Sequence, residues 1–344
     1  MTPNVVLVTG VGGYLGGNLA ARLAANPDIE RVIAVDTAPP PRAVLRRMGR
    51  AEFVRADIRN PLIAKVISAG RVDTVVHAAT TASPAGPSGR TLIKEMNVIG
   101  TMQLLAACQR SRTVRKLVVK STAAVYGASS RSPAVFTEED TPRDLASSGF
   151  AKDAVEVEGY VRGFARRRPD VLVTTLRLVN LIGPGVDTVL TRYFALPVVP
   201  TVLGFDARMQ LLHGEDGLAV LDRATVEDLP GVFNVGGDGV LMLSQAIRRA
   251  GRVPLPLLRG AIPTMARLVP FGSRLVNFSP DQVRFLNYGR VVDTTRLKTT
   301  FGFTPRWTTS QAFDDYVQGS GRRPLVDPGR LGALERRLHA AAAR

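Results

Sequence analysis

The chain of 344 residues contains a single cysteine, Cys108, and no apolar run long enough to cross a membrane. One cysteine excludes an intramolecular disulfide and is typical of proteins in a reducing compartment, so we expect a cytoplasmic location. A transmembrane helix needs about 18 or more uncharged apolar residues in succession, and we therefore expect no membrane span. In residues 1–10 an apolar run begins without a basic stretch before it, so the sequence does not predict a secretory signal peptide.

The balance of charge is strongly basic. The 45 Lys and Arg residues outnumber the 29 Asp and Glu residues, which gives a net charge of +16. Such a charge can indicate a nucleic-acid-binding protein, but the arginines are scattered and form no basic stripe interleaved with aromatic residues. We therefore expect no nucleic-acid partner. The same positive field would favour an anionic small-molecule substrate. No metal site is predicted.

Apolar strands and amphipathic helices alternate through the first half of the chain. Each expected strand is nearly continuous in Val, Ile and Leu, which is typical of a parallel sheet covered by helices on both faces. The pattern predicts an α/β fold with a doubly wound, mostly parallel sheet of the Rossmann type. Its strands are expected at 4–10, 31–36, 52–58, 72–79, 114–122, 170–178 and within 231–243.

The alternation breaks after residue 180, where the sequence becomes rich in Gly and Pro and loses a clear period. We interpret this break as a second lobe made from two separated segments. The predicted division is a nucleotide-binding domain at 1–179 and 208–243, a smaller substrate-binding lobe at 180–207 and 244–318, and a basic C-terminal extension at 319–344.

A glycine-rich loop follows the first strand and opens the first helix, with Gly10, Gly13 and Gly16 at intervals of three. Gly10 permits a tight turn, Gly13 lets the backbone approach a pyrophosphate, and Gly16 allows close contact between helix and strand. The unpaired N–H groups at the start of a helix then bind phosphate. Because a strand and a helix flank the motif, it predicts a dinucleotide site.

Two polar residues near this loop are candidates for the same site. Asp36 ends the second strand, where a carboxylate can accept hydrogen bonds from the adenosine ribose. A carboxylate there repels a 2′-phosphate and predicts NAD as the cofactor rather than NADP, although Asp36 could also be a plain turn residue. His77, at the end of the fourth strand, is either a packed histidine beside the cofactor or a catalytic base, and packing is favoured.

The ordered motifs resemble the extended short-chain dehydrogenase/reductases, in the branch of nucleotide-sugar epimerases and dehydratases. The resemblance spans about residues 4–318. It rests on the glycine loop, Asp57-Ile58, "HAAT" at 77–80, Asn97 in "EMNVIGT", "STAAVYG" at 121–127, "LRLVNLIGPG" at 176–185, "QLLHGEDG" at 210–217 and "GVFNVGG" at 231–237. It implies a Rossmann domain, a small substrate lobe, a site in the cleft between them, and a homodimer formed by the helices near 90–111 and 149–168. The NAD contacts that it implies are Gly10, Gly13, Tyr14, Leu15, Gly16, Asp36, Asp57, Ile58, Ala78, Ala79, Thr80, Asn97, Lys152 and Val179.

In this family a Ser or Thr, a Tyr and a Lys form the catalytic group. The tyrosinate removes a hydroxyl proton, and the lysine holds the cofactor ribose and lowers the tyrosine pKa. The resemblance places the hydroxyl at Thr122 and the lysine at Lys152, with Glu156 one helical turn later. The tyrosine position, four residues before Lys152, holds Ser148, and no tyrosine occurs in residues 128–158.

A serine cannot take over the role of the tyrosine. Its hydroxyl ionises far above neutral pH, and even full burial moves a pKa by only about 3–5 units. Three alternatives stay open. Another residue could supply the base, the reaction could proceed without a strong base or with one from the substrate, or the protein could bind NAD and a ligand with little or no catalysis. The candidates for a substitute base are Tyr126, which could instead be a packed aromatic, and His77, His213 and Lys152.

The substrate half departs from the family pattern at one position. Many relatives place an arginine four residues before the histidine of the "H-x-x-D" segment, where it binds a diphosphate. That position holds Met209, and Arg208 lies one residue earlier. A shift of one residue on a strand points a side chain to the opposite face, so diphosphate recognition is in question. The substrate contacts that we predict are Thr122, Asn180 and Arg208, with Arg290, Arg296 and Arg306 as further candidates.

Residues 254–278 are unusually apolar for a lobe that binds a nucleotide-sugar. They either pack within the lobe, or they form a hydrophobic substrate pocket or a contact with a membrane surface. The prediction is therefore an NAD-dependent epimerase/dehydratase-like oxidoreductase with an altered catalytic group, acting on a nucleotide-sugar or related hydroxyl substrate. The alternatives are an NAD(H)-binding protein with little catalysis and a dehydrogenase of a sterol or other lipid alcohol.

Overall fold

The computed structural model describes residues 3–80, 90–142, 149–258 and 279–325. The predictions for Ser148, for most of the apolar segment 254–278 and for most of the C-terminal extension concern residues outside these ranges. None of the helices in the described ranges is both long and apolar enough to span a membrane.

The strands and helices follow one another in the predicted alternation through the first half of the chain. The strands are β1 Val5–Thr9, β2 Arg31–Asp36, β3 Glu52–Arg55, β4 Thr74–His77, β5 Lys116–Thr122, β6 Leu172–Leu178, β7 Asn180–Ile182, β8 Val198–Val202, β9 Arg208–Met209, β10 Leu211–His213, β11 Gly231–Val235, β12 Leu241–Met242, β13 Val253–Leu257 and β14 Gly289–Arg290. The helices are α1 Tyr14–Ala25, α2 Arg42–Arg47, α3 Ile63–Ala69, α4 Arg90–Lys94, α5 Gly100–Arg110, α6 Phe150–Arg167, α7 Val189–Ala195, α8 Gly214–Val226, α9 Leu243–Arg249, α10 Pro280–Tyr288, α11 Thr295–Thr299 and α12 Thr309–Gly319.

A seven-stranded parallel sheet lies at the centre, in the order β11-β6-β5-β4-β1-β2-β3. Every residue of β1 is buried, because helices cover the sheet on both faces. The chain reverses its direction of progress across the sheet between β1 and β4. In such sheets a ligand binds beyond the carboxyl ends of the strands at this switch point. The predicted α/β fold of the Rossmann type is confirmed.

Two apolar layers hold the helices against the sheet. On one face, Leu19 of α1 and Leu221 of α8 belong to a cluster with the alternate side chains of the strands. On the other face, Ile67 of α3 and Phe164 of α6 pack with Cys108 of α5. Burial raises the pKa of the Cys108 thiol to about 12, as expected for a cysteine that packs rather than reacts.

A smaller lobe is built around a third apolar cluster that includes Phe194, Phe285 and Phe313. Its three-stranded sheet joins β9 to β12 in antiparallel and to β14 in parallel orientation. The predicted division of the chain placed β9 and β12 in the nucleotide-binding domain. In the structure β9 pairs with both β12 and β14, and β14 lies in a segment that the division assigns to the lobe. The division itself stays a prediction.

Two predicted elements are interrupted in the structure. The stretch 90–111 is not one continuous α-helix, because a π-helical turn at Glu95–Ile99 separates α4 from α5. Only Gly231–Val235 of the predicted strand within 231–243 pairs in the central sheet, as β11. Leu241–Met242 forms β12 and pairs with β9 instead. A 3₁₀ turn at Ala123–Tyr126 follows β5.

A buried ion pair joins α6 to the central sheet. Arg177 Nη2 on β6 lies 2.7 Å from Glu158 Oε2 on α6, and their side chains are only 9% and 5% exposed. The Ser121 hydroxyl donates to the other Glu158 oxygen at 2.6 Å. Arg177 also donates to the Tyr126 hydroxyl at 2.7 Å. The network thus connects β5, β6, α6 and the turn after β5.

Replacing Arg177 with methionine should destabilise the protein by about 3–5 kcal/mol, because Glu158 would stay buried without its counter-charge. The free energy of unfolding can be measured by urea titration. The matched control is Arg192→Met, which removes an ion pair with Asp187 whose side chains are 34% and 68% exposed. It should cost less than about 1 kcal/mol. Equal losses in the two variants would contradict the role of the buried pair.

Candidate active site

The glycine loop packs closely against the end of β4 at the switch point of the sheet. Gly10 has a φ of 75°, and a Cβ atom there would collide with the backbone of Ala79. A Cβ atom at Gly16 would collide with the Gly10 carbonyl oxygen. Only glycine fits both positions without a shift of the backbone. The loop therefore lies directly beside the carboxyl ends of β1 and β4.

The start of α1 fits a pyrophosphate. Gly13 caps the helix with extended backbone and no side-chain hydrogen bond to the first turn. The first-turn N–H groups of Tyr14, Leu15 and Gly16 have no partner within an α-helix, and they carry the positive end of the helix dipole. The Leu15 side chain is buried in the core, so its backbone N–H is the group that would contact the cofactor.

The Asp36 carboxylate is fixed beside the glycine loop. One oxygen accepts a hydrogen bond from the Gly12 N–H at 2.8 Å, and the other accepts from the Thr37 N–H at 2.7 Å. Its negative charge at the end of β2 suits a ribose with a free 2′-hydroxyl and opposes a 2′-phosphate. Together with the start of α1, this position fits NAD.

Other predicted cofactor contacts differ in exposure. Asp57 is paired with Arg59 at 2.6 Å, and hydrogen bonding from that guanidinium lowers the pKa of the Asp57 carboxyl. Ile58 and Val179 are 4% and 6% exposed and belong to the apolar layers. Their side chains are thus part of the core, and any contact they make with a cofactor is through the backbone or through a small exposed fraction. Ala78 is likewise buried.

His77 is a packed histidine in this structure. Its Nδ1 lies 2.9 Å from the Thr9 hydroxyl and its Nε2 lies 2.8 Å from the Thr101 hydroxyl. Burial, aided by the nearby charge of Lys120, lowers its pKa to about 3. The ring is therefore neutral at physiological pH and both nitrogens are occupied, which favours the packing interpretation over a catalytic base.

A small hollow opens where β5 meets α6, at the carboxyl ends of β4 and β5. Thr80 donates from its hydroxyl to the Lys120 carbonyl at 2.9 Å, and Lys120 Nζ donates to the Thr80 carbonyl at 2.5 Å. Asn97 comes from the π-helical turn, a feature that occurs frequently at functional sites. The residues that line the hollow are Thr80, Asn97, Lys120, Ser121, Thr122, Phe150, Ala154 and Val157.

The face that α6 presents to the hollow is apolar. Phe150, Ala154 and Val157 line it at helical spacing, whereas Lys152 is exposed. Thr122 and Asn97 both line the hollow, whereas Lys152 is not among the residues that line it. The catalytic roles of Lys152 and of Ser148, which lies outside the described residues, stay predictions.

Tyr126 and His213 occupy packed positions. The Tyr126 hydroxyl donates to Asn234 at 2.7 Å and accepts from Arg177, and burial raises its pKa to about 12. His213 caps α8, is stacked on Trp307 at 4.4 Å and lies 3.0 Å from an Asp315 oxygen. These contacts favour structural roles for both, against their use as a substitute base.

A second cavity, of about 200 Å³, lies beyond the turn that follows β5. Arg208 donates to the Ala134 carbonyl at 3.0 Å, and Arg290 donates to the Gly127 carbonyl at 2.8 Å. Burial lowers the pKa of Arg290 to about 10, so the guanidinium stays charged near neutral pH. The residues that line this cavity are Ser129, Ser130, Ser132, Pro133, Phe136, Arg208, Tyr288, Gly289, Arg290 and Val291.

The other predicted substrate contacts lie elsewhere. Asn180 starts β7, is partly buried and does not line either the hollow or the cavity. Arg296 lies over the Phe233 ring and near Glu139, and the Arg306 backbone donates to Asp216. Within the described ranges, no cluster of three His, Cys, Asp or Glu side chains could hold a metal ion.

The sequence pattern of the NAD dependent epimerase/dehydratase family matches residues 6–236. The chain belongs to this family. Its membership confirms the resemblance and the predicted cofactor, NAD.

The chain is similar to an uncharacterized protein in sequence and to two enzymes of solved structure in fold. It is 53% identical to an uncharacterized protein of Mycobacterium tuberculosis, over 99% of this chain and 91% of the relative. A dTDP-glucose 4,6-dehydratase of Bacillus anthracis in complex with NAD has a TM-score of 0.69 at 19% identity, covering 92% of this chain and 96% of the other. A UDP-glucose 4-epimerase of Thermotoga maritima with UDP-glucose has a TM-score of 0.68 at 20% identity, covering 92% and 98%. The two structures show that the fold is shared.

Five residues that line the hollow of this epimerase/dehydratase family member were not predicted from the sequence, namely Lys120, Ser121, Phe150, Ala154 and Val157. Phe150 and Ala154 carry no chemical signal in the sequence, and only the rotation of α6 reveals their position. Lys120 could have been noticed, because a lysine near the carboxyl end of an otherwise apolar strand is unusual.

Replacing Asp36 with alanine should weaken NAD binding roughly tenfold or more and narrow the preference for NAD over NADP, since hydrogen bonds to a charged group contribute about 1.5–3 kcal/mol. Calorimetric titration of both cofactors measures the effect. Asp28→Ala, an exposed position after α1, is the control and should leave both affinities unchanged. Tighter binding of NADP than of NAD by the unaltered protein would contradict the assigned role of Asp36.

Proposed function

We propose that this protein is an NAD-dependent oxidoreductase that acts on a nucleotide-sugar or a related anionic hydroxyl substrate, with an altered catalytic group. The observation that carries the proposal is the pair of guanidinium groups, Arg208 and Arg290, in the cavity beside the NAD-binding half of the fold. Arginine is well suited to the oxygens of a diphosphate, because its planar fork donates several hydrogen bonds.

The arrangement of cavity and hollow supports this substrate class. The end of β5 and the segment after it border the two spaces, since Thr122 lines the hollow and Ser129 and Ser132 line the cavity. A substrate with its anionic part at the arginines and a hydroxyl-bearing part directed toward β5 would approach Thr122. The hydroxyls of Ser129 and Ser132 add hydrogen-bonding capacity for phosphate or sugar oxygens.

The residues of the chain have separate tasks in this proposal. The first turn of α1 and Asp36 hold NAD, which supplies the hydride acceptor when bound. Arg208 and Arg290 orient the substrate, and Thr122 binds the reacting oxygen through its hydroxyl. That hydroxyl also accepts a hydrogen bond from the Ala124 N–H at 3.1 Å, which fixes the position of its oxygen.

One observation favours a second candidate, an NAD(H)-binding protein with little or no catalysis. The α6 side of the hollow is apolar, with Phe150, Ala154 and Val157, and offers no group that exchanges a proton. The lipid-alcohol alternative has less support, because two cationic side chains, Arg208 and Arg290, line the cavity.

A homodimer and a cytoplasmic location are also part of the proposal. Three apolar side chains on the stretch from α4 to α5, namely Leu92, Ile99 and Met102, are 36–39% exposed and supply a surface for a second copy of the chain.

The two candidate functions can be separated by one experiment. The purified protein is incubated with NAD and UDP-glucose or UDP-galactose, and both the interconversion of the sugars and the nicotinamide absorbance are followed. Turnover supports the enzyme. NAD binding in calorimetry without turnover of these or of other nucleotide-sugars would support the binding protein instead.

Replacing Arg208 or Arg290 with glutamine should raise the KM for a nucleotide-sugar about tenfold or more, because a charge-assisted hydrogen bond to the anionic group is lost. The affinity for NAD should stay the same. Arg110→Gln, at the exposed end of α5, is the matched control. If both cavity variants keep the unaltered KM, the anionic part of the substrate does not bind in this cavity.

A further inference from the structure

Lys120 is placed unusually for a lysine. It lies on β5, is partly buried, and its Nζ donates to the Thr80 carbonyl. Among the described residues no carboxylate lies within ion-pair distance of this Nζ. Lys116, four residues earlier on the same strand, provides the contrast, because its Nζ lies 2.7 Å from an Asp228 oxygen and donates to the carbonyls of Thr225 and Glu227. The Lys116 amine is thus held by a carboxylate and two carbonyls, whereas Lys120 lines the hollow.

Strand geometry places Lys120 beside the reacting position. Lys120 and Thr122 are two residues apart on β5, so their side chains emerge on the same face of the strand. Both line the hollow, together with Asn97 and Thr80. A substrate oxygen bound by the Thr122 hydroxyl would therefore lie near the amine of Lys120.

The α6 residues that line the hollow include no alternative proton carrier. The residues of α6 that line the hollow and lie four apart are Phe150 and Ala154. Glu158, four residues after Ala154, is bound to Arg177 and Ser121, and its side chain is only 5% exposed. The positions along this face thus hold an aromatic ring, a methyl group and a carboxylate that is already paired.

The surroundings of Lys120 favour its neutral form. Burial lowers its pKa to about 8. Titratable and charged groups lie on the elements packed around it. His77 on β4 is neutral, and Glu158 on α6 is paired with Arg177. Also on α6, Asp153 is buried and Lys152 is exposed. A fraction of the Lys120 amine is accordingly unprotonated near neutral pH.

We propose that Lys120 Nζ is the group that takes up and returns the substrate proton in this site, in a chain that has Ser148 at the position of the family's tyrosine. The inference rests on the proposed function. When the substrate alcohol is oxidised, its O–H proton passes to the neutral amine, the C–H hydrogen leaves with its electron pair to NAD, and a C=O bond forms. In the reverse direction the ammonium returns the proton to the oxygen. Lysines with a lowered pKa serve as general bases elsewhere in proteins.

The protonation of Lys120 can be measured without catalysis. The chain has six lysines, so labelling with lysine that carries ¹³C at Cε gives an NMR spectrum with few signals. Lys120→Met identifies its signal by loss. We expect this signal to titrate near pH 8 in the protein with NAD, well below the ordinary pKa of a lysine side chain, which is about 10.4. Titration of Lys120 together with the exposed lysines would overturn the proposal.

The kinetic test uses a variant that keeps the positive charge. Arginine cannot be deprotonated in proteins, so Lys120→Arg preserves a cation and a donor but removes the base. We expect kcat with UDP-glucose to fall about 10²–10⁴-fold while calorimetric binding of UDP-glucose persists. In the unaltered protein, kcat/KM should rise about tenfold per pH unit below pH 8 and become level above it. Lys65→Arg, on the exposed side of α3, is the control and should leave both unchanged.

The outcomes separate this inference from the proposed function. Turnover by the unaltered protein that survives in Lys120→Arg, with the same pH profile, overturns the role of Lys120 and leaves the proposed function intact. Loss of that turnover in Lys120→Arg, with substrate binding retained, supports the role. No turnover of any nucleotide-sugar by the unaltered protein overturns the proposed function, and the role of Lys120 with it.

Discussion

The buried pair of Glu158 and Arg177 sets the rotation of α6 on the central sheet, and the composition of the candidate active site follows from that rotation. Glu158 must face β6 to reach the guanidinium, since neither charge could stay buried alone without a large cost. Residues four and eight positions earlier on an α-helix share the face of Glu158. These are Ala154 and Phe150, and they line the hollow for that reason. Lys152 falls between them in sequence and is exposed.

This constraint also explains which parts of the site could be predicted from the sequence. The glycine loop and Asp36 are local features, in which spacing along one strand-turn-helix unit decides the geometry, and the structure places them together as expected. The face of α6 depends on which of two glutamates, Glu156 or Glu158, meets an arginine that lies on another strand. The two differ by two residues, or more than half a helical turn, and nothing local distinguishes them. The π-helical turn around Asn97 could not be predicted from the sequence either, because it depends on packing rather than on an unusual residue.

The lysines of β5 show a related limit of sequence patterns. Lys116 and Lys120 are four residues apart on β5, so their side chains lie on the same face of the strand, and both flank an apolar run. Their environments differ because of segments distant in sequence. The loop after α8 provides Lys116 with Asp228 and two carbonyls, whereas the end of β4 provides Lys120 with one carbonyl. A strand pattern can therefore identify a buried lysine, but only tertiary contacts decide whether its charge is compensated.

The small lobe is coupled to the same helix. Asp281, at the start of α10, accepts a hydrogen bond from the Ala151 N–H at 3.2 Å and so binds the first turn of α6. A carboxylate at a helix N-terminus is favourable because of the unpaired N–H groups and the helix dipole. The same α10 carries Phe285, over which the Arg290 guanidinium lies at 5.5 Å. One short helix of the lobe therefore contacts both the arginine of the cavity and the helix that borders the hollow. In the proposed function, an anion bound at Arg290 and a hydroxyl near Thr122 would thus be positioned by elements that are in direct contact, and the position of the lobe would affect both ends of the substrate.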